Sequence, residues 1–186
     1  MAAGVRHHVA LSVVGTDRLQ DSGYFRAKLA QEKMIASSPI PYSLVHATQF
    51  FEFIRTIADL STEGGVVRLP PVRFQPMAAE DVAGAIAEIA LGAPVNGTIE
   101  IGGPEMFTLD AAVRKVLLSD HDGRQVIADA SAPYYGVQVT DRELVPDPGA
   151  RLGSTGLDWW IEHVPPPPRP AAAAAAAAAA VSVQAH

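Results

Sequence analysis

The chain contains no cysteine, which excludes disulfides, thiolate catalysis and cysteine-ligated metal sites. It has three lysines, Lys28, Lys33 and Lys115, and none sits in a basic cluster. With a formal net charge of −6 and a pI near 5.4, it lacks the positive face that nucleic acid or an anionic membrane surface requires. Long apolar runs are also missing. The N-terminal stretch MAAGVRHHVALSVVG is too short and too interrupted for a signal peptide or a membrane span, so a cytoplasmic location is the expectation.

What is present is globular in character. Hydrophobic residues reach 48% against 18% charged, over 186 residues, enough for one domain with a real core. The composition shifts abruptly at Pro165. From there PPPPRPAAAAAAAAAAVSVQAH reads as a low-complexity, disordered tail. Residues 1–164 are the expected folded domain and 165–186 an appendage.

Within the domain, strand and helix signals alternate. HHVALSVVG (7–15) and YSLVHATQF (42–50) are short β-branched runs, apolar on both faces, as buried parallel strands are. Between them a helix is predicted over 23–37, stopped by SSPIP because a residue before proline avoids helical geometry. On it Tyr24, Lys28, Gln31 and Ile35 share one face, and Phe25, Leu29 and Glu32 another. Further helices are predicted over 50–62, 78–92 and 108–120, with a short one near 157–163. GGVVRLPPVRFQP reads as strand and loop, 96–103 as a third strand and 124–156 as loop-rich. This alternation predicts an α/β fold, a partial Rossmann-type parallel sheet of about three to four strands with flanking helices. The first strand starts within ten residues of Met1 but has the character of a central strand. A chain truncated at the N-terminus is therefore expected, with an uncovered sheet edge that invites self-association.

The chemistry-bearing stretch is GYFRAKLAQEK (23–33). Tyr24 and Lys28 stand four apart, and helical spacing projects both to one side. A phenol titrates near ~10, and an adjacent ammonium stabilises the phenolate, so such a pair can move a proton at a carbonyl or alcohol. The alternative is a part-exposed tyrosine and a lysine bonded to Glu32. Ser12, at the carboxyl end of the preceding strand, could bond the same substrate oxygen, since ligands of open α/β sheets sit at those strand ends.

Four blocks in order, VALSVVGTDRL with SGYFRAKLAQEKMI, then PYSLVHATQFFEF, PMAAEDVAGAIAEIA and GTIEIGGPEMFTLD, resemble the C-terminal part of an atypical short-chain dehydrogenase/reductase of the NmrA-like NAD(P)H-binding group. The resemblance spans roughly residues 5–164. It implies that Tyr24 is the acid/base, that Lys28 holds the nicotinamide ribose and eases ionisation of the tyrosine, and that Ser12 orients the substrate oxygen. It also implies that Thr48, Gln49 and Phe50 border the cofactor and the substrate. The implied activity is NAD(P)-dependent oxidoreduction of a carbonyl, alcohol or quinone-like small molecule. The rival readings are a non-catalytic NAD(P)-sensing regulatory protein and an inactive truncated remnant. The family's G-x-x-G-x-x-G loop, which holds pyrophosphate at a helix N-terminus, has no counterpart in this sequence, so weak dinucleotide binding is expected. Position 46, commonly arginine in relatives, is histidine here.

Other features read as structural. GARLGSTG (149–156) mimics a nucleotide fingerprint but follows LVPDP instead of a strand. His7 and His8 are adjacent, so a strand points them to opposite faces, and no histidine spacing suits a metal. Glu80 and Asp81 are expected to stabilise a helix N-terminus, and Trp159 and Trp160 to anchor packing.

Overall fold

The computed structural model describes residues 4–166. The predicted tail lies outside the described residues except for Pro165 and Pro166. The chain runs β1 (His8–Val13), α1 (Gly23–Ala36), β2 (Tyr42–Ala47), a 3-10 turn at Phe51–Phe53, then α2 (Ile54–Leu60). Next come β3 (Thr62–Glu63), β4 (Val66–Leu69), β5 (Arg73–Phe74) and α3 (Ala79–Leu91). β6 (Gly97–Gly102), β7 (Phe107–Thr108), α4 (Leu109–Ser119), β8 (Gln125–Ala128), β9 (Arg151–Leu152) and α5 (Leu157–His163) complete it. No helix among the described residues is long and apolar enough to cross a membrane.

The main sheet is parallel, in the order β1-β2-β6-β9, with helices on both faces, as the alternation predicts. β2 lies inside and is buried nearly throughout, which explains its largely apolar sequence. Alternate residues address opposite faces. Val45 and Ala47 pack with Val82 and Ala85 of α3, while Ser12 and His46, register partners on β1 and β2, face Glu32 of α1. β1 is an edge strand among the described residues.

A second core lies beyond the sheet, where α2, α4 and α5 gather around Phe51, Ile54, Phe74, Leu109, Leu157 and Trp160. Each such fully buried side chain contributes about 1.5–3 kcal/mol of transfer free energy. Two small sheets flank this core, β3-β4-β8 and β5-β7. The link between the two cores is a backbone clamp. The Met77 N–H donates to Gln49 O at 2.9 Å and the Phe51 N–H donates to Met77 O at 2.9 Å. Thr48 N–H donates to Ile101 O at 3.0 Å. The segment leaving β2 is thus held on both sides.

Several local expectations change. Ile35 is buried with Phe25 and Glu32, while Gln31, one turn before it, stays exposed. The stretch 124–156, read as loop, contributes β8 and β9; both are too short for periodicity to reveal. Arg151–Leu152 of the glycine decoy adds the fourth strand of the main sheet. Asp81 does more than complement its helix. It accepts the N–H groups of Ser154 and Thr155, at 3.0 and 2.9 Å, and the Thr155 hydroxyl. Trp160 is a buried anchor, but Trp159 is exposed and stacks on His163.

The clamp needs glycine at 103, where an added Cβ would stand 1.8 Å from the Pro76 carbonyl oxygen. Gly103→Ala is expected to cost about 3 kcal/mol by overpacking, read as a lower midpoint in urea unfolding.

Candidate functional site

The carboxyl ends of β1 and β2 open onto a cavity of about 670 Å³. Its walls come from the ends of the strands, the start of α1 and the 134–135 loop. Tyr24 and Lys28 both line it, as do Ser12, Thr48, Gln49 and Phe50, so the structure brings every sequence-predicted site residue to one place. Lys28 is the one charged side chain among the described lining residues.

The individual bonds are less simple. Tyr24, 60% exposed, stands at the rim with its ring edge-on to Phe25. The Lys28 ammonium donates to the Leu11 carbonyl at 2.8 Å and to Gln31 Oε1 at 2.9 Å. Its partners are therefore the edge of the sheet and its own helix, and not Glu32. Glu32 is buried beneath α1, where it accepts the Ser12 hydroxyl and lies 3.1 Å from His46 Nε2. That last contact is an ion-pair approach without hydrogen-bond alignment. In this arrangement the Ser12 hydroxyl points into the helix–sheet interface.

Two polar atoms of the residues lining the cavity are left without partners among the described residues. Thr48 Oγ1 and Gln49 Oε1 are buried and make no hydrogen bond among the described residues. Such groups cost free energy unless a ligand or water completes them. Both project from the segment gripped by the Met77 clamp, which fixes the backbone that bears them.

Aromatic residues shape the rest. Phe50 and Phe53 stack with centroids 5.4 Å apart, and Tyr134 meets Tyr135 edge-on at 4.7 Å. Tyr135 is a non-glycine residue at positive φ, in a turn closed by the Tyr134–Val137 bridge and Gly136. Burial pushes the Tyr134 phenol well above its ordinary 10.0; the neighbouring phenols of Tyr135 and Tyr24 add to this, and a bond from Gln49 partly offsets it. Burial, then Tyr24, also raises Tyr135. Three phenols thus converge, and Tyr134 stays a neutral donor through ordinary pH. Tyr134, Tyr135, Phe53 and Glu32 were not singled out from the sequence. The signal for the first two was PYYG, a paired aromatic before a turn glycine; for Glu32 it was a carboxylate one turn before Ile35.

No family model matches this chain, and no curated protein does. Solved structures do share its fold. An NADPH-dependent quinone oxidoreductase from Escherichia coli is similar over 88% of this chain and 69% of its own, with a TM-score of 0.62 at 20% identity. An NAD-dependent NDP-hexosamine 5,6-dehydratase involved in tunicamycin biosynthesis is similar over 87% and 62%, at 0.56 and 13%. A short-chain dehydrogenase/reductase superfamily protein from Agrobacterium tumefaciens, with bound NAD, is similar over 87% and 66%, at 0.55 and 15%. At these identities the likeness establishes the Rossmann-like fold, and the chain spans about two thirds of each protein's length.

The raised Tyr134 gives a pH test. Below pH 10 both folded and unfolded chains hold this phenol neutral. Above it the unfolded chain releases the proton first, so stability falls as pH rises. Tyr134→Phe is expected to move the alkaline unfolding midpoint, followed by circular dichroism, to higher pH.

Proposed function

We propose that this chain carries the proton-transfer side of an NAD(P)-dependent oxidoreductase site of the short-chain type, acting on a carbonyl, alcohol or quinone-like small molecule. The observation that carries it is the convergence of Tyr24, Lys28 and the unpartnered Thr48 and Gln49 atoms on one cavity at the strand carboxyl ends. Fold neighbours that use NADPH or hold NAD support the cofactor class.

The residues present suit one end of such a cofactor. Thr48 Oγ1 can donate and Gln49 Oε1 can accept, which matches a nicotinamide carboxamide, and Phe50 offers a ring face. Lys28 reaches ribose hydroxyls once it leaves the Leu11 carbonyl. No pyrophosphate cradle stands among the described residues. The one glycine in the β1–α1 turn at positive φ, Gly15, is pressed against Glu143, where a Cβ would be 2.6 Å from the carbonyl oxygen. The bound reduced cofactor would supply hydride to the substrate carbonyl carbon. Tyr24 then gives its phenolic proton to the substrate oxygen, and the Lys28 charge supports the phenolate left behind. Ser12 can hold that oxygen only by giving up Glu32. Tyr134, held neutral by burial, shapes the opposite wall.

A second reading is an NAD(P)-sensing regulatory protein of NmrA-like type in the cytoplasm, which would bind cofactor without turnover. The engagement of Ser12 by Glu32 and of Lys28 by Leu11 favours it, because both groups are withheld from substrate.

Thermal-shift titration with NADH and NADPH is expected to show weak, millimolar stabilisation; saturation in the micromolar range would overturn the weak-binding expectation. At millimolar NADPH, Tyr24→Phe should lower turnover of a quinone or carbonyl panel by about 10²–10⁴-fold and leave the cofactor-induced shift unchanged. A wild-type chain that turns over nothing, yet binds a protein partner according to nicotinamide redox state, would establish the sensor instead.

A further inference from the structure

A second cavity, of about 490 Å³, lies beside β9, at the end of the main sheet remote from β1. It shares no lining residue with the cavity at the strand carboxyl ends. Its volume falls within the ~300–1,000 Å³ typical of small-molecule sites. Arg18, Arg73 and Arg142 line it, and Asp147 is the one carboxylate to do so among the described residues. Met106 and Leu152, each about half exposed, form an apolar side with Pro146 and Pro148.

Strand alternation builds the polar side. Phe74 of β5 is fully buried in the core around α2, α4 and α5, so Arg73 and Gln75 turn the other way. Gln75 is only 8% exposed. Its backbone N–H donates to Leu144 O at 3.2 Å, and its Nε2 donates to Gly103 O at 2.8 Å. Its Oε1 makes no hydrogen bond among the described residues.

Most guanidinium groups of this chain are neutralised locally. Arg55, Arg68, Arg114, Arg124 and Arg151 each meet a carboxylate. Arg18 does too, with Asp17 at 3.6 Å and Asp147 at 3.9 Å, and its Nη1 donates to Arg142 O at 2.6 Å, which braces the wall. The side chains of Arg73 and Arg142 have no ion pair or hydrogen bond among the described residues. The nearest acids in sequence are engaged with other groups. Asp141 accepts the Arg73 backbone N–H at 2.8 Å, and Glu143 accepts the N–H and hydroxyl of Thr140. Two guanidinium groups without counterions thus border one concave surface, beside a buried acceptor and an exposed apolar side.

We propose that this cavity binds a small organic carboxylate that has an apolar body and a hydroxyl or amide donor beside the charge. Arg73 and Arg142 hold the carboxylate, whose two oxygens match the guanidinium fork. Gln75 Oε1 accepts from the donor and gains the partner that the fold does not give it. Met106, Leu152 and the two prolines cover the apolar body. Inorganic phosphate has the charge without the other two features. The site stands whether or not the other cavity is an oxidoreductase site.

Amide NMR titration of the full chain with phenyllactate tests this. Saturable shifts are expected at residues 73–75 and 142–152, with a Kd of about 0.1–1 mM. Phenyllactamide, which lacks the charge, should bind about tenfold more weakly, and hydrocinnamate, which lacks the hydroxyl, about fivefold more weakly. Arg73→Gln and Arg142→Gln alter exposed side chains. Each should raise the Kd about tenfold and leave the circular dichroism unchanged. No saturable shift, shifts centred on residues 48–50 instead, or an affinity unmoved in either variant would each overturn the inference. So would phenyllactamide, hydrocinnamate or inorganic phosphate binding as tightly as phenyllactate.

Discussion

Glu32 sits beneath α1, and its burial governs where that helix can lie. α1 buries little else: Phe25 and Ile35 are its apolar contributions, while Tyr24 and Met34 face solvent. A helix so weakly amphipathic would be free to slide on the sheet. The carboxylate prevents this by meeting Ser12 from β1 and His46 from β2, residues that the parallel register sets side by side. Removing one partner from such a buried group costs several kcal/mol, since the rest stays desolvated. The helix is thereby located to within a hydrogen bond, and Tyr24 and Lys28 with it.

The same constraint shapes the chemistry. Ser12 pins the helix, so its hydroxyl is engaged by structure before any substrate arrives. Lys28 is engaged as well, by a carbonyl that an edge strand leaves open. Both residues carry two possible uses, and the fold as described satisfies the structural one. Thr48 Oγ1 and Gln49 Oε1 are different, for nothing in the described chain completes these two buried atoms. The cavity thus combines residues already bonded with residues that lack partners, and the second set marks where a ligand would be held.

The aromatic wall follows from a distant part of the chain. Tyr134 is buried because the Tyr134–Val137 turn folds back over the β2 exit, and Tyr135 accepts a left-handed backbone to allow it. Strain of this kind persists only where packing over-determines it. Together with Phe50 and Phe53 these rings give a polar strand end a partly aromatic wall.

Much of this was legible in the sequence. Largely apolar runs at 8–13 and 42–47 announced parallel strands, of which 42–47 is buried nearly throughout while 8–13 is largely part-exposed, and the four-residue spacing of Tyr24 and Lys28 placed them on one side of a helix. Short-range periodicity determines these features, because it depends only on the repeat of strand and helix. Short strands such as 151–152 escaped it, being too brief to show a period. So did the partners of Ser12, Lys28 and Asp81, and the arrival of Tyr134 at the cavity. Hydrogen bonds and burial join residues remote in the chain, and spacing along the chain carries no information about which of two available partners a side chain meets. The sequence alone determined which groups capable of proton transfer exist and which element bears them; the tertiary structure decided that Ser12 and Lys28 are already held and that Thr48 Oγ1 and Gln49 Oε1 are not, because only packing sets which polar atoms find partners.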